Sequence, residues 1–446
     1  MSGAALVAGV SALSLAAMRH LLVLGAIVRS RRFLTPDVAA GDAMPAAAPP
    51  PPVFYIVIPV LREARVLRQA LAHFETLAEG HQARIVVVTT ARETTERARH
   101  QGVPDTICVA EELARQGRCL HLHYPDPAGR KADQLNFVVD HCVAVLDDAA
   151  LSRSFLLCYD ADSRPPLDSL AWFEEAIARH PNASVFHQSS RFELRQPSQP
   201  RHGVAAWLQR AVADSGTLRA NRFVLGYEIP RLLNRSAMTG ALKRKLCSFV
   251  YAHVTGHGLC VRVSLLRALP LPEQSPLEDM HYSFVLGSRN FPMVPIPSLD
   301  CAEVPAALRI QVQQAARWFF GPARFRIYLR DPRTKPGPRA RLLALSALAI
   351  CLEWLSCAVV PALLALALWR ADDLLRTLAV GFIVVYGLQL LATEAFTGSP
   401  VRLRDRIGRV LAYPVASTLF GVGGIIGAAQ LLGGSVGAGK TERLSV

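Results

Sequence analysis

With 446 residues, 51% of them hydrophobic, and a mean hydropathy of +0.25, which is high for a purely soluble enzyme, the chain is long enough for one large domain plus a membrane section. Its 49 basic residues outnumber its 35 acidic ones, for a formal net charge of +14. The arginines cluster beside apolar stretches, which points to anionic headgroups and phosphates and argues against nucleic acid. Nine cysteines without a Cys-x-x-Cys argue against a metal or disulfide framework and fit reduced core residues.

In chain order, Leu6 to Val28 is the first apolar stretch, interrupted by Arg19 and His20. It reaches the roughly 20 residues that a membrane span needs. A cleaved signal peptide is the rival reading, but no positive region precedes it and its charges fall inside the run. Residues 33–52 are rich in Ala and Pro and end in Pro49-Pro50-Pro51-Pro52, a stiff polyproline-like linker. Val53 to Ile58 is a short apolar run that stops at Pro59, as a buried strand does. Arg62 to Leu77 has helical spacing through Val66, Ala70, Leu71 and Phe74. Arg84 to Val88 predicts a second buried strand, and Ala91 to His100 is polar and helix-compatible. A helix starting near Lys131 precedes another strand, Ser154 to Cys158. Strands alternating with helices predict an α/β fold with a mostly parallel sheet covered on both faces.

Three further apolar stretches follow: Leu342 to Trp369, whose one charge is Glu353, then Leu375 to Phe396, and Val410 to Leu432. Basic clusters at Arg29 to Arg32, Arg324 to Arg341 and Arg402 to Arg409 flank the stretches. The positive-inside rule puts all three clusters in the cytoplasm, with the loop Arg370 to Asp373 and both chain ends outside. The expected organisation is a transmembrane segment over 1–32, the linker over 33–52, a cytoplasmic catalytic domain over 53–303, an interfacial helix region over 304–341, three spans over 342–433 and a tail over 434–446.

Three motifs carry chemistry. Asp160-Ala161-Asp162 leaves a buried strand. Two carboxylates there can hold Mg²⁺ or Mn²⁺ with diphosphate oxygens completing the shell, although an Asp-x-Asp is also an ordinary solvated turn. Glu278-Asp279 opens a helix-like run after Pro276. The pair is either decoration favoured by the helix dipole or a general base for an acceptor hydroxyl, with His281 as an alternative base. Gln314-x-x-Arg317-Trp318 sits on a helix-compatible stretch, Val304 to Phe320. Arg317 can clamp a diphosphate and Trp318 can face a sugar or base; the same helix could instead lie along a membrane with Trp318 as its anchor.

In that order, the motifs resemble those of the membrane-bound family 2 glycosyltransferases, the group containing cellulose, chitin and hyaluronan synthases. The likeness covers roughly residues 53–330. Ile58-Pro59-Val60-Leu61-Arg62-Glu63 looks like the family's opening strand and nucleotide-contacting turn. Gly129-Arg130-Lys131-Ala132-Asp133-Gln134-Leu135-Asn136 looks like its Gly-Lys-Ala…Leu-Asn segment, which contacts the nucleotide sugar. The resemblance implies a GT-A, Rossmann-like fold and an inverting reaction. It implies that Pro59, Glu63, Lys131, Asn136, Asp160, Gln314, Arg317 and Trp318 bind the nucleotide sugar, that Asp160 and Asp162 bind the metal, and that Asp279 is the catalytic base. It departs from the family at Thr89-Thr90, where many members carry an Asp pair, leaving Glu93 as the substitute acid. Four spans are too few for a polymer channel without self-association or an export partner.

Other signals carry less. Gly434 to Thr441 matches a phosphate-loop pattern, but the strand and helix that such a loop needs are missing. His253, His257 and His281 lack zinc-ligand spacing. Asn182 and Asn234 head glycosylation sequons on the cytoplasmic side. The leading expectation is a metal-dependent glycosyltransferase of a bacterial inner or plasma membrane, taking a UDP-sugar by resemblance and a glycan or lipid-linked acceptor. The alternatives are a degenerate subunit of a polysaccharide export complex, or a membrane nucleotidyl- or phosphotransferase. The latter predicts a second acid cluster, which the sequence lacks.

Overall fold

The computed structural model describes residues 3–35, 50–96, 105–194, 203–236, 240, 242, 245, 247–273, 275–370, 373–397 and 402–433. The phosphate-loop pattern and most of the Ala/Pro stretch lie outside the described residues. Seven strands form one sheet: β1 (Val53–Pro59), β2 (Ala83–Thr90), β3 (Leu120–Tyr124), β4 (Ser154–Cys158), β5 (Val185–Leu194), β6 (Leu259–Arg262) and β7 (Val294–Val304). Their spatial order is β3-β2-β1-β4-β6-β5-β7, and only β6 runs antiparallel to its neighbours β4 and β5. The fold is therefore mixed α/β, as expected.

β1 explains the layering. Its side chains alternate between faces, so Phe54, Ile56 and Ile58 enter one core while Tyr55 and Val57 enter the other. The first core is closed by Leu67, Leu71 and Phe74 of the helix Ala64–Ala78 and by Phe173 of the helix Ser169–Arg179. The second is closed by Leu135 and Val139 of the helix Lys131–Val145. A strand covered on both faces needs a continuous apolar run, and each large side chain buried contributes ~1.5–3 kcal/mol.

Topology fixes where a ligand can sit. From β1 the chain steps outward through β2 and β3, then returns to place β4 on the other side of β1. That reversal opens a crevice at the carboxyl ends of β1 and β4. Because β6 is antiparallel, its amino end lies beside the carboxyl end of β4, with Leu259 opposite Cys158. The loop Thr255–Gly258 is thereby delivered to the same crevice, where Gly258 N–H donates to Cys158 O at 2.8 Å.

Where four spans are expected, two helices among the described residues are long and apolar enough to cross a membrane, Asp373–Thr397 and Tyr413–Leu432, or three if a bent pair counts as one span. Leu342 to Trp369 is not one straight helix. It is broken into Pro338–Ser356 and a helix from Val360, bent by 56°. Leu6 to Val28 falls inside a helix, Gly3–Leu34, which runs on into the expected linker. Arg19 in that helix is ion-paired with Glu353, so the charges inside two apolar stretches answer each other. The helix Leu308–Ala323, carrying Gln314, Arg317 and Trp318, packs against Tyr413–Leu432 through glycines. A methyl on Gly423 would meet Val312 O at 2.7 Å, and one on Gly427 would meet Ala316 O at 2.6 Å. Small residues four apart let the two backbones touch.

Candidate functional site

Four elements converge on Gly256. Lys131 stands in the first turn of its helix, which Asp133 caps by accepting from Arg130 N–H at 2.7 Å. From there Lys131 Nζ donates to Asp160 Oδ1 at 2.7 Å and to Gly256 O at 2.9 Å. Asp279, in the first turn of the helix Glu278–Ser288, accepts from Gly256 N–H at 2.8 Å through Oδ2 and from Met280 N–H at 2.7 Å through Oδ1. A Cβ on Gly256 would lie 3.3 Å from Asp279 Oδ2, 3.3 Å from Lys131 Nζ and 3.4 Å from Glu278 Oε1. One ammonium and two carboxylates therefore surround a position where a Cβ fits only if they give by a few tenths of an ångström.

Their electrostatics follow from this crowding. Burial pushes the Lys131 ammonium down, but Asp160, Cys158 and Glu278 outweigh it and hold it well above the usual lysine range. Burial, with the neighbouring Asp279, pushes the Glu278 carboxyl up to about 7, against the pull of Lys131. Glu278 can thus hold a proton close to neutrality.

The loop is braced from behind. Val254 N–H donates to Ser283 Oγ at 2.9 Å, and Ser283 Oγ donates to Asp279 O at 2.7 Å. Thr255 Oγ1 donates to His257 O at 3.1 Å and lies 3.4 Å from His187 Nε2. His187 pairs at 3.3 Å with Glu228, both fully buried, at the end of a π-helical turn, Val224–Glu228. His257 Nδ1 lies 3.9 Å from Asp160 Oδ2 while its Nε2 is 2.6 Å from Ser190 Oγ.

Of the expected site residues, Lys131 and Asp160 meet directly, and Asp279 joins them through the Gly256 backbone. Pro59 ends β1 at the same crevice. Glu63 is buried just before the helix Ala64–Ala78, where its N–H donates to Thr106 Oγ1 at 2.9 Å. Asp162 is half-buried in the turn that starts at Asp160, closed by Ser163 N–H to Asp160 O at 3.0 Å. Asn136 is buried with its amide committed to the chain: it donates to Leu271 O at 3.0 Å and Glu273 Oε1 at 2.9 Å, and accepts from Leu271 N–H at 3.0 Å. It holds the segment that leads to Glu278. Gln314 and Trp318 line a cavity between their own helix, the helix Val204–Phe223 and Tyr413–Leu432, and Arg317 is half-buried on the same helix. Gly321, one turn further on, packs against Met280 and Leu277, which couples that helix to the Glu278-Asp279 turn.

Two secondary expectations are corrected. Glu93 does not face a ligand: its carboxylate is buried, accepting from Arg62 N–H at 3.0 Å and Thr106 N–H at 2.8 Å. His281 is engaged elsewhere: it stacks on Tyr328 with Nε2 2.9 Å from Asp331, and burial lowers it to about 4. Sequence reasoning missed Gly256 and Thr255, and named His257 only to set it aside as a zinc ligand. The one signal was Thr255-Gly256-His257-Gly258, a glycine-flanked histidine before a short strand.

Among the described residues no three His, Cys, Asp or Glu side chains gather as a metal site. Asp160 and Asp162 supply hard oxygen donors suited to Mg²⁺ or Mn²⁺, but two carboxylates fall short of an octahedral shell. The pair fits an ion shared with a ligand's diphosphate and water.

No family model and no curated protein matches the chain. Among solved structures, it is similar to a mannosyltransferase from Pyrobaculum calidifontis in complex with GDP-Man and Mn²⁺, with a TM-score of 0.44 and 15% identity over 87% of this chain and 97% of that one.

Proposed function

We propose that the protein is an inverting, metal-dependent glycosyltransferase of the GT-A type, acting at the cytoplasmic face of a membrane. The observation that carries this reading is the meeting of Lys131, Asp160 and Asp279 on Gly256 at the switch point of the sheet. One base, one cation and an acidic turn are what an in-line displacement of a nucleoside diphosphate requires.

In this reading, Pro59 and Glu63 bound the nucleotide at the end of β1. The diphosphate lies against Lys131 at a helix N-terminus, where the dipole favours anions. Asp160 and Asp162 would hold the divalent ion, which when bound offsets charge on the departing diphosphate. Asp279, oriented by the Gly256 N–H, takes the proton of the acceptor hydroxyl as its oxygen bonds to the anomeric carbon. The bond from that carbon to the diphosphate breaks and its electron pair leaves with the nucleotide. A single base and no enzyme nucleophile give inversion. Asn136 acts on this site indirectly, by holding the segment before Glu278. Gln314, Arg317 and Trp318 serve the nucleotide and the acceptor, a glycan or a lipid-linked sugar.

The test is nucleoside diphosphate release from UDP-, GDP- and TDP-sugars by membrane-embedded protein supplied with Mg²⁺ or Mn²⁺. Release with one donor should disappear in Asp279→Asn while donor binding persists. Folded protein that neither binds nor turns over any of these donors would sink the proposal.

A further inference from the structure

Behind the Thr255–Gly258 loop lies a buried carboxylate that the reaction above does not use. The chain is helical from Val204 to Arg235, but the stretch Val224–Glu228 is wound as a π turn. Such turns are rare, make poorer hydrogen bonds and occur often at functional sites. This one ends on Glu228, whose carboxylate lies 3.3 Å from His187 Nε2 in the core. His187 Nε2 is also 3.4 Å from Thr255 Oγ1, and Thr255 Oγ1 donates to His257 O at 3.1 Å. Gly256, between them, donates to Asp279 Oδ2 at 2.8 Å and accepts from Lys131 Nζ at 2.9 Å. One chain of polar contacts therefore runs from Glu228 through His187 and Thr255 to the loop that orients Asp279.

The far end of this chain is held separately. Ser30 Oγ of the helix Gly3–Leu34 donates to Leu225 O at 2.7 Å, and a Cβ on Gly226 would meet Val23 Cγ1 at 2.8 Å. The π turn is thus packed on the first helix, and His253 stacks at 5.5 Å on Phe223 just before it. Burial pushes the Glu228 carboxyl up, but His187 and His253 outweigh it and hold it below the usual glutamate range. A buried pair of this kind is a poor way to stabilise a fold, because desolvation offsets most of the attraction. What it supplies is direction: the carboxylate fixes the imidazole, and the imidazole fixes what lies against its edge.

We infer that Glu228, acting through His187, is a positioning residue for the transfer: it fixes the Thr255–Gly258 loop so that the Gly256 N–H holds Asp279 in place. This rests on the transferase reading and adds to it a residue on the opposite side of the loop from the substrates.

The test uses the full chain in phosphatidylcholine nanodiscs with Glu228→Gln and, at the loop end, Thr255→Val and Thr255→Ser. Glutamine keeps the size of Glu228 and an oxygen for His187 but not the charge, which guards against misfolding. Amide hydrogen exchange is read by segment, and turnover with whichever UDP-, GDP- or TDP-sugar the parent protein uses. In Glu228→Gln and Thr255→Val, exchange over 254–258 should quicken about tenfold or more while β1 and β4 keep the parent rates. In the same proteins kcat should fall at least ~10-fold, with donor affinity within about threefold of the parent. Thr255→Ser, which restores the hydroxyl, should recover both. A merely structural pair would instead quicken exchange throughout the sheet, lower the melting temperature and cut kcat only as the folded fraction falls. That outcome, or unchanged loop exchange in folded Glu228→Gln protein, overturns the inference. A parent protein that neither binds nor turns over a donor counts against the transferase reading and removes the ground for this inference with it. A loosened loop with full kcat in a donor-active protein counts against this inference alone.

Discussion

Lys131 Nζ bridges Asp160 Oδ1 at 2.7 Å and Gly256 O at 2.9 Å, tying the acidic turn after β4 to the loop that also orients Asp279. The ammonium therefore neutralises Asp160 before any ligand arrives and stands where a diphosphate would meet the turn. An incoming diphosphate and its ion would have to share Asp160 with Lys131 or draw Lys131 onto the phosphates.

That competition makes Lys131→Met informative. The Asp160 side chain is 39% exposed, so the pair is worth ~1 kcal/mol or less and the melting temperature should move little. Turnover should fall roughly 100-fold, the scale for losing one charge-stabilising donor. Asp160→Asn should instead abolish stimulation by Mn²⁺. Metal titrations of nucleoside diphosphate release distinguish the two; equal metal response in Asp160→Asn and the parent would remove Asp160 from the metal's shell.

Glu278 makes a pH prediction. Burial and Asp279 raise it to about 7 from an ordinary value of 4.5. The folded protein thus keeps a proton that the unfolded chain has released, so stability declines as pH rises from about 4.5 to about 7 and levels off above. Denaturation of Glu278→Gln should lack that decline. If Asp279 is the base, Glu278→Gln should retain turnover and lose an inflection near neutrality, whereas Asp279→Asn should be inactive; the opposite outcome would exchange their roles.

Gly256→Ala separates site geometry from fold. The added Cβ would sit 3.3–3.4 Å from Asp279, Lys131 and Glu278, tight enough that all three must give by a few tenths of an ångström. The backbone there is not left-handed, so the strain is confined to the site. Stability should fall by ~1–2 kcal/mol and turnover by ~10- to 100-fold. An alanine protein with full turnover would mean that the convergence on Gly256 is not catalytic.

What the sequence discloses follows from physics at each element. β1, β2 and β4 are legible because both faces are buried and the run is continuously apolar. β3 alternates histidines with leucines and hides that signal, while β6 is only four residues long. β7 contains Pro295 and Pro297, which normally argue against a strand; it sits at the sheet's edge, where a missing N–H costs little. The break in Leu342 to Trp369 follows from Pro361, which cannot donate to the carbonyl of Cys357 four residues back. The motif residues could be named from local spacing, but not Gly256: its role depends on an antiparallel strand that brings it next to Asp160 from almost 100 residues away.

Asn136 illustrates the same limit. Its motif position suggests ligand contact, yet its amide makes three hydrogen bonds to the 271–273 segment. Asn136→Ala should destabilise the fold by ~2–3 kcal/mol by leaving buried backbone groups unpaired. Turnover should decline in step with that loss. Calorimetry showing an unchanged melting temperature together with weakened donor binding would return Asn136 to the ligand.

Glycines hold Tyr413–Leu432 against the helix Leu308–Ala323. A Cβ on Gly427 would lie 2.6 Å from Ala316 O, and backbone cannot yield as a flexible side chain can. Gly427→Ala must therefore push Tyr413–Leu432 away from the helix that bears Gln314, Arg317 and Trp318. The cavity between them has Phe420 on one wall and Trp318 on the other, so its width changes directly. The Lys131–Asp160–Asp279 cluster is built on other elements and keeps its own hydrogen bonds. The expected result is a helix-packing loss of ~1–3 kcal/mol, unchanged donor affinity and a turnover deficit that rising acceptor concentration partly restores. A deficit in donor affinity instead would mean that these apolar helices set the nucleotide site as well.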